Sequence, residues 1–112
     1  MVAASRAGLS PAAVLFRSLG DPARLAIVRR LAVGGPARVT DLTAELGLAQ
    51  STVSKHLARL RDCGLVTARA VGRASVYSLA QPALLEVLAA AEEVLAATGN
   101  AVALCPTFGQ PK

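Results

Sequence analysis

Tryptophan is absent, and one tyrosine and two phenylalanines are the only aromatic side chains among 112 residues. The hydrophobic 54% of the chain is therefore aliphatic, mostly Ala, Leu and Val. Small apolar side chains let helices approach closely. A chain this short keeps much of its surface outside any single core, so some of that packing is expected across a subunit interface. Cysteine is scarce as well: Cys63 and Cys105 stand far apart and make no disulfide framework. One histidine, His56, and scattered carboxylates form no catalytic constellation, so an enzyme is not expected. Arg, Asp or Glu interrupts every apolar run before it could span a membrane. A signal peptide is not apparent either, since no basic start leads into an apolar stretch. The expectation is a cytoplasmic protein with reduced thiols. There are no internal repeats or low-complexity tracts, and the length fits a single domain over 1–112.

Acidic residues are the minority, seven against twelve Lys and Arg, and the net charge of +5 favours a polyanionic partner. The excess is uneven. Between Ala49 and Leu79, Lys55, Arg59, Arg61, Arg69 and Arg73 face Asp62 alone. Beyond Ala80 the sign reverses, with Lys112 against Glu86, Glu92 and Glu93.

Helix boundaries are readable from caps and breakers. In "LSPAAVLFRSLGDPARLAIVRRLAVGG", Ser10 before Pro11 and Asp21 before Pro22 read as N-caps of two helices. Gly20 closes the first, and Gly34–Gly35–Pro36 closes the second, whose buried stripe is Leu25, Val28 and Leu31 with Ile27 beside them. "TDLTAELGL" reads as a short third helix capped by Thr40 and stopped by Gly47. Gln50 or Ser51 opens a fourth that runs to Cys63, with Gly64 ending it. The short glycine-containing link between the third and fourth is that of a helix-turn-helix over 40–63. The period then changes to two in "LVTARAVGRASVYSLA", which predicts a hairpin over 65–79 turning at Gly72–Arg73. A Leu- and Ala-rich helix follows over about 81–98, beginning near Pro82, and 99–112 reads as a tail. The fold class is mainly α with a β-hairpin wing, a winged helix-turn-helix, expected to be homodimeric through helices 10–19 and 81–98.

Advancing ~100° per residue along the fourth helix puts Val53, Leu57 and Leu60 on one face, the core face. Ser51, Lys55 and Asp62 lie opposite, with Ser54 and Arg59 on the shoulders. Short hydroxyls suit close approach to base edges and phosphates, and the cations supply charge-assisted contacts. The candidate DNA-binding residues are Gln50, Ser51, Thr52, Ser54, Lys55 and Arg59, with Arg73 at the wing turn. Arg69 and Arg73 could track phosphates or enter the minor groove. A polar outer face without a partner is the competing reading, although no i,i+4 Glu–Lys pair occupies this face as it would on an ordinary surface helix. His56, beside the core face, reads as a packing residue with a hydrogen-bond partner.

"LGDPARLAIVRRL", "DLTAELGLAQSTVSKHLARLRDCGLV" and "GRASVYSL" together resemble the ArsR/SmtB family of winged helix-turn-helix repressors, over almost the whole chain. The resemblance implies a homodimer on double-stranded operator DNA, at an imperfect inverted repeat, released when an effector binds. One branch of the family holds metal in a "CVCDL"-like third helix; here "RVTDL" places Arg38 and Thr40 in the ligand positions, so that site is absent. Another uses Asp, His and Glu along the last helix, which here starts at Gln81 and has no histidine. The cadmium- and lead-sensing CmtR-type branch has two cysteines four apart near the end of the reading helix and a third in the partner's C-terminal region. Cys63 matches the second position and Cys105 the tail position, while Arg59 stands in the first.

By that resemblance Cys63 and Cys105 are the candidate metal ligands for a soft divalent ion, cadmium or lead before zinc, acting as effector. An arginine one turn before a thiol suits a redox or electrophile sensor equally well. A thiol-redox-responsive repressor is therefore an alternative, as is a protein-interaction module using the same fold without DNA. A buried small hydrophobe is a further reading of Cys63.

Overall fold

The computed structural model describes residues 6–104, so Cys105 and the rest of the tail lie outside the described residues. A 3₁₀ turn, Ala7–Leu9, leads directly into α1, Ser10–Leu19. Ser10 is therefore not the expected N-cap. The turn already brings Leu9 to helical dihedrals (φ −87°, ψ −7°), so Leu9 takes the cap position and the serine lies inside the helix. α2, Pro22–Gly34, does begin as read: Asp21 is extended and its carboxylate accepts from the Arg24 amide at 3.0 Å. That bond satisfies one of the four amides a helix start leaves without partners.

A two-residue strand, β1 (Ala37–Arg38), precedes α3, Val39–Leu46. Pairing of Arg38 with Val76 draws the backbone out at Arg38, so the helix starts one residue before Thr40. Thr40 is not the cap; the Asp41 carboxylate instead accepts from the Arg38 amide at 3.0 Å. α4 runs Gln50–Asp62. It ends in a Schellman arrangement, with the Gly64 amide on the Arg61 carbonyl and the Leu65 amide on the Leu60 carbonyl, both at 2.9 Å. The φ of +76° at Gly64 is the left-handed geometry that this ending requires.

β2 (Val66–Val71) and β3 (Ala74–Leu79) form the hairpin, and β1 joins it in an antiparallel sheet of order β1-β3-β2. Gly72, with φ +62°, takes the first central position of the two-residue turn, which leaves Arg73 exposed at its tip. α5, Ala83–Ala97, starts just after Pro82. The fold is a winged helix-turn-helix with three strands in the wing.

Ile27, Val28 and Leu31 from α2, Leu42 from α3, and Val53, Leu57 and Leu60 from α4 meet in one core. Leu65 and Val66 close it on the wing side, Leu84 and Leu88 on the α5 side. Leu84 and Leu88, on the helix expected to dimerise, thus cover the monomer's own core. Past α5 the chain turns back, and Leu104 is buried with its amide on the Glu92 carboxylate at 2.6 Å.

Candidate nucleic-acid interface and the cysteine at its edge

The three apolar residues of α4, Val53, Leu57 and Leu60, are 0% exposed. Their complete burial fixes the rotation of the helix, since turning it would expose about 2 kcal/mol of transfer free energy per side chain. The opposite face is then forced outward. Gln50, Ser51, Ser54, Lys55 and Arg59 are exposed and Thr52 is half-buried. Lys55, Arg59, Arg69 and Arg73 make no ion pair with a described carboxylate. Arg30, by contrast, is neutralised: it grips Glu45 through two nitrogens, at 2.6 and 3.1 Å, and thereby ties α2 to α3. Cations left unpaired beside short hydroxyls form a surface suited to phosphates and base edges. No side chain caps α4 at Ala49, so its first-turn amides add partial positive charge to that surface.

Behind this face, α4 is anchored by contacts that the sequence did not reveal. The Arg24 guanidinium lies 3.2 Å from His56 Nδ1 through Nη1, and donates through Nε to the Ser18 carbonyl at 2.6 Å and through Nη2 to that of Arg17 at 3.2 Å. His56 Nε2 lies 3.7 Å from the Asp21 carboxylate. His56 thus has the partners expected of a packing histidine. The Asp21 carboxyl is held below its ordinary range, chiefly by the Arg24 amide it accepts, with His56 and Arg24 adding to the effect against partial desolvation.

Cys63 is half-buried, packs against the core, and lies 2.9 Å from the Ser18 hydroxyl. It is therefore a packing residue and an accessible thiol at once. Among the described residues no three His, Cys, Asp or Glu side chains gather as a metal-binding group. The Nδ1 of His56 is engaged by Arg24, which removes it as a ready donor. On the described residues alone the donor set does not suffice for a soft metal, which favours several thiolates. Completing a site requires a ligand from beyond them, and the expected one, Cys105, lies outside the described residues.

Arg38 and Ser18 were not among the functional residues expected. Arg38 borders the interface only because β1 exists, and nothing in a two-residue strand shows in periodicity. A cation directly before an acid-capped helix was the available signal. Ser18 carried none, because its partners come from α2 and α4.

Comparison with known proteins agrees with this geometry. The family described as bacterial regulatory protein, arsR family, matches residues 21–68. An uncharacterized HTH-type transcriptional regulator of Mycobacterium tuberculosis, Rv0081, is 39% identical over 75% of this chain and 74% of its own. Its crystal structure superposes with a TM-score of 0.76 over 84% of this chain and 94% of that one, at 38% identity. The HTH-type transcriptional regulator CmtR of Mycobacterium bovis is 42% identical over 79% of this chain and 74% of its own. A probable mercury resistance operon repressor of Streptomyces lividans is 32% identical over 80% and 71%. The homodimeric winged helix-turn-helix DNA-binding domain of Mycobacterium bovis Mb0332 matches with a TM-score of 0.72, at 28% identity, over 86% of this chain and 91% of that one.

Proposed function

The chain belongs to the ArsR family of bacterial regulatory proteins, and from that premise we propose that it is a homodimeric operator-binding repressor released by a soft metal acting through its cysteines. Its relatives and its fold are those of transcription regulators, not enzymes. No helix of the described residues is long and apolar enough to cross a membrane. One observation carries the DNA reading: the buried stripe of α4 forces Ser51, Ser54, Lys55 and Arg59 outward with no carboxylate pairing the two cations. Gln50 and Thr52 join them at the helix start, and Arg73 at the wing tip.

The dimer reading rests on where apolar surface is left. Five of the eight exposed large hydrophobics of the described residues, Leu9, Val14, Phe16, Leu85 and Val94, lie on the 3₁₀ turn, α1 or α5, Phe16 at 62% and Val94 at 63% being the most open. Phe16 and Val94 border an open, wholly apolar groove of about 610 Å³ between α1 and α5, also lined by Leu19, Leu25 and Val87. An apolar patch of that kind marks an association surface, and a two-fold pair would set two reading helices about one DNA turn apart, ~34 Å, to match an inverted repeat.

The effector is proposed as cadmium or lead, zinc less so, held by Cys63 of one protomer and Cys105 of the other. The mercury-operon relative supports a thiophilic metal, and Cys63 stands where the reading helix ends, so a ligand there acts on the DNA-contacting element. Thiol oxidation is the second reading, favoured by the absence of any three-ligand cluster among the described residues. Operator release titrated with cadmium, lead, zinc and peroxide, with and without reductant, tests both. Release by metal under reducing conditions supports the first reading, and release by peroxide alone supports the second. DNA binding itself is tested by Lys55→Ala with Arg73→Ala: unchanged affinity and salt dependence would remove this surface as the DNA site.

A further inference from the structure

Between the wing and the helix-turn-helix the molecule carries a second basic feature. A cleft of about 400 Å³ opens there, and Arg38, Thr40, Gln50, Arg73, Ser75 and Tyr77 supply its polar side chains. Four elements meet in it: β1, the starts of α3 and α4, and the tip and second strand of the wing. No carboxylate lines it, and neither arginine makes an ion pair with a described residue. Asp41, the nearest acid in sequence, is engaged with the Arg38 backbone amide.

We propose that this cleft seats a single DNA backbone phosphate, held jointly by Arg38 and Arg73. The proposal rests on the DNA-binding reading above and adds Arg38 to it, together with a defined role for the cleft. The donor inventory of the lining residues fits an anion: they carry two guanidinium forks, three hydroxyls and one amide, and a guanidinium recognises phosphate oxygens through two parallel hydrogen bonds. Charge complementarity favours it too, since a phosphodiester carries one negative charge and the cleft carries two positive ones with no acid among them. The location selects DNA over a free anion. Gln50 is the first residue of α4 and Arg73 the tip of the wing, so the cleft is continuous with the reading surface. The register of the sheet makes Arg38 a fixed post: it pairs with Val76, and through β3 it is tied to the hairpin that carries Arg73. A phosphate between the two arginines would lock the wing against the helix-turn-helix, fixing register on the duplex without reading a base.

The test uses the full chain and a duplex that the parent protein selects from a random pool. Affinity is measured against salt concentration for the parent, Arg38→Gln, Arg73→Gln and Lys55→Ala, then on duplexes carrying single neutral methylphosphonates. Arg38→Gln is expected to weaken binding several-fold, to lower the salt slope by about one unit and to leave base preference unchanged. One methylphosphonate position should weaken the parent yet add nothing in either Arg38→Gln or Arg73→Gln. Melting curves accompany each variant; a parent-like curve is expected for Arg38→Gln, because its guanidinium holds no partner that folding needs. If Lys55→Ala weakens binding while Arg38→Gln keeps the parental slope, the cleft proposal is wrong and the DNA reading stands. Insensitivity of the two arginine variants to different methylphosphonate positions also overturns it, since the phosphate is then not shared. A parent that selects no duplex overturns both.

Discussion

The Ser18 hydroxyl lies 2.9 Å from the Cys63 sulfur, and among the described residues it is the one side-chain hydrogen bond joining α1 directly to the end of α4. Ser18 is 1% exposed, and its backbone carbonyl also accepts from Arg24, whose guanidinium reaches His56 in the middle of the same helix. A residue on a proposed dimer helix therefore holds the reading helix at its end directly and at its centre through one arginine. Ligation or oxidation at Cys63 would remove the first of these ties.

Ser18→Ala isolates that tie, because the carbonyl that accepts from Arg24 remains. Loss of one buried hydrogen bond should lower unfolding stability by about 1 kcal/mol. The thiol should also react faster with an alkylating reagent, because its only described polar partner is gone. Urea unfolding and alkylation rates measured on the same variant check both. Parental values in both would show that the hydroxyl contributes nothing to holding Cys63.

Phe16→Glu and Val94→Glu should each yield a folded monomer. Both side chains are more than half exposed in the single chain, so a charge there is solvated and spares the monomer core, yet it would be desolvated in a dimer interface. Sedimentation should show the parent as a dimer at micromolar concentration and the variants shifted towards monomer. Operator affinity should fall with them, as one reading helix then engages alone. A parent that sediments only as a monomer would end the dimer proposal.

The order of helices was legible because each boundary carries chemistry that acts locally: Asp21–Pro22, the Gly34–Gly35 pair, Gly64, the Gly72 turn. What the sequence hid acts over distance. β1 exists only through its pairing with Tyr77 and Val76, some forty residues on, and that pairing shifted the α3 cap from Thr40 to Arg38. The outward face of α4 was readable because the period of an amphipathic helix is a local property. The Ser18–Arg24–His56 network was not, since three elements must fold together before its members meet. The burial of Leu84 and Leu88 within the chain's own core was hidden for a similar reason: a periodic apolar face does not say whether its cover comes from its own chain or another.

Two carboxylates should shape the acid limb of stability. Asp21 is held below its ordinary range chiefly by the Arg24 amide, and Glu45 chiefly by its hydrogen bond from Arg30. A depressed folded pKa contributes stability that is full above the unfolded value, about 4, and is lost as pH falls through the folded value. The melting temperature of Asp21→Asn/Glu45→Gln should therefore lie below the parent's at neutral pH and converge on it in acid, below the ordinary carboxylate range. Both groups are solvated, so the difference should be small. A gap that stayed constant into acid would exclude ionisation as its source.

Arg59 occupies the position one helical turn before Cys63 where the CmtR-type pattern has a thiol, so Arg59→Cys should tighten soft-metal binding. Residues four apart on a helix are about 6 Å apart at Cβ, near enough for two thiolates to share one ion. A third thiolate from Cys105 of the partner would satisfy the preference of cadmium and lead for several sulfur donors. The parent, with arginine there, lacks a donor and gains a positive charge that repels the ion. It should therefore bind cadmium and lead more weakly than Arg59→Cys. The substitution has a cost on the other side of the equilibrium, because Arg59 is a proposed DNA contact and its loss should lower the salt slope by about one unit. The two effects separate experimentally: thiolate-to-metal absorption reads the site without DNA, and operator release reads the coupling. A tenfold loss of operator affinity needs only ~1.4 kcal/mol of difference in metal affinity between the free and DNA-bound forms. Cys63→Ser and Cys105→Ser should each abolish the absorption band and the release. If both serine variants respond to metal as the parent does, the effector site lies elsewhere and the cysteines are not its ligands.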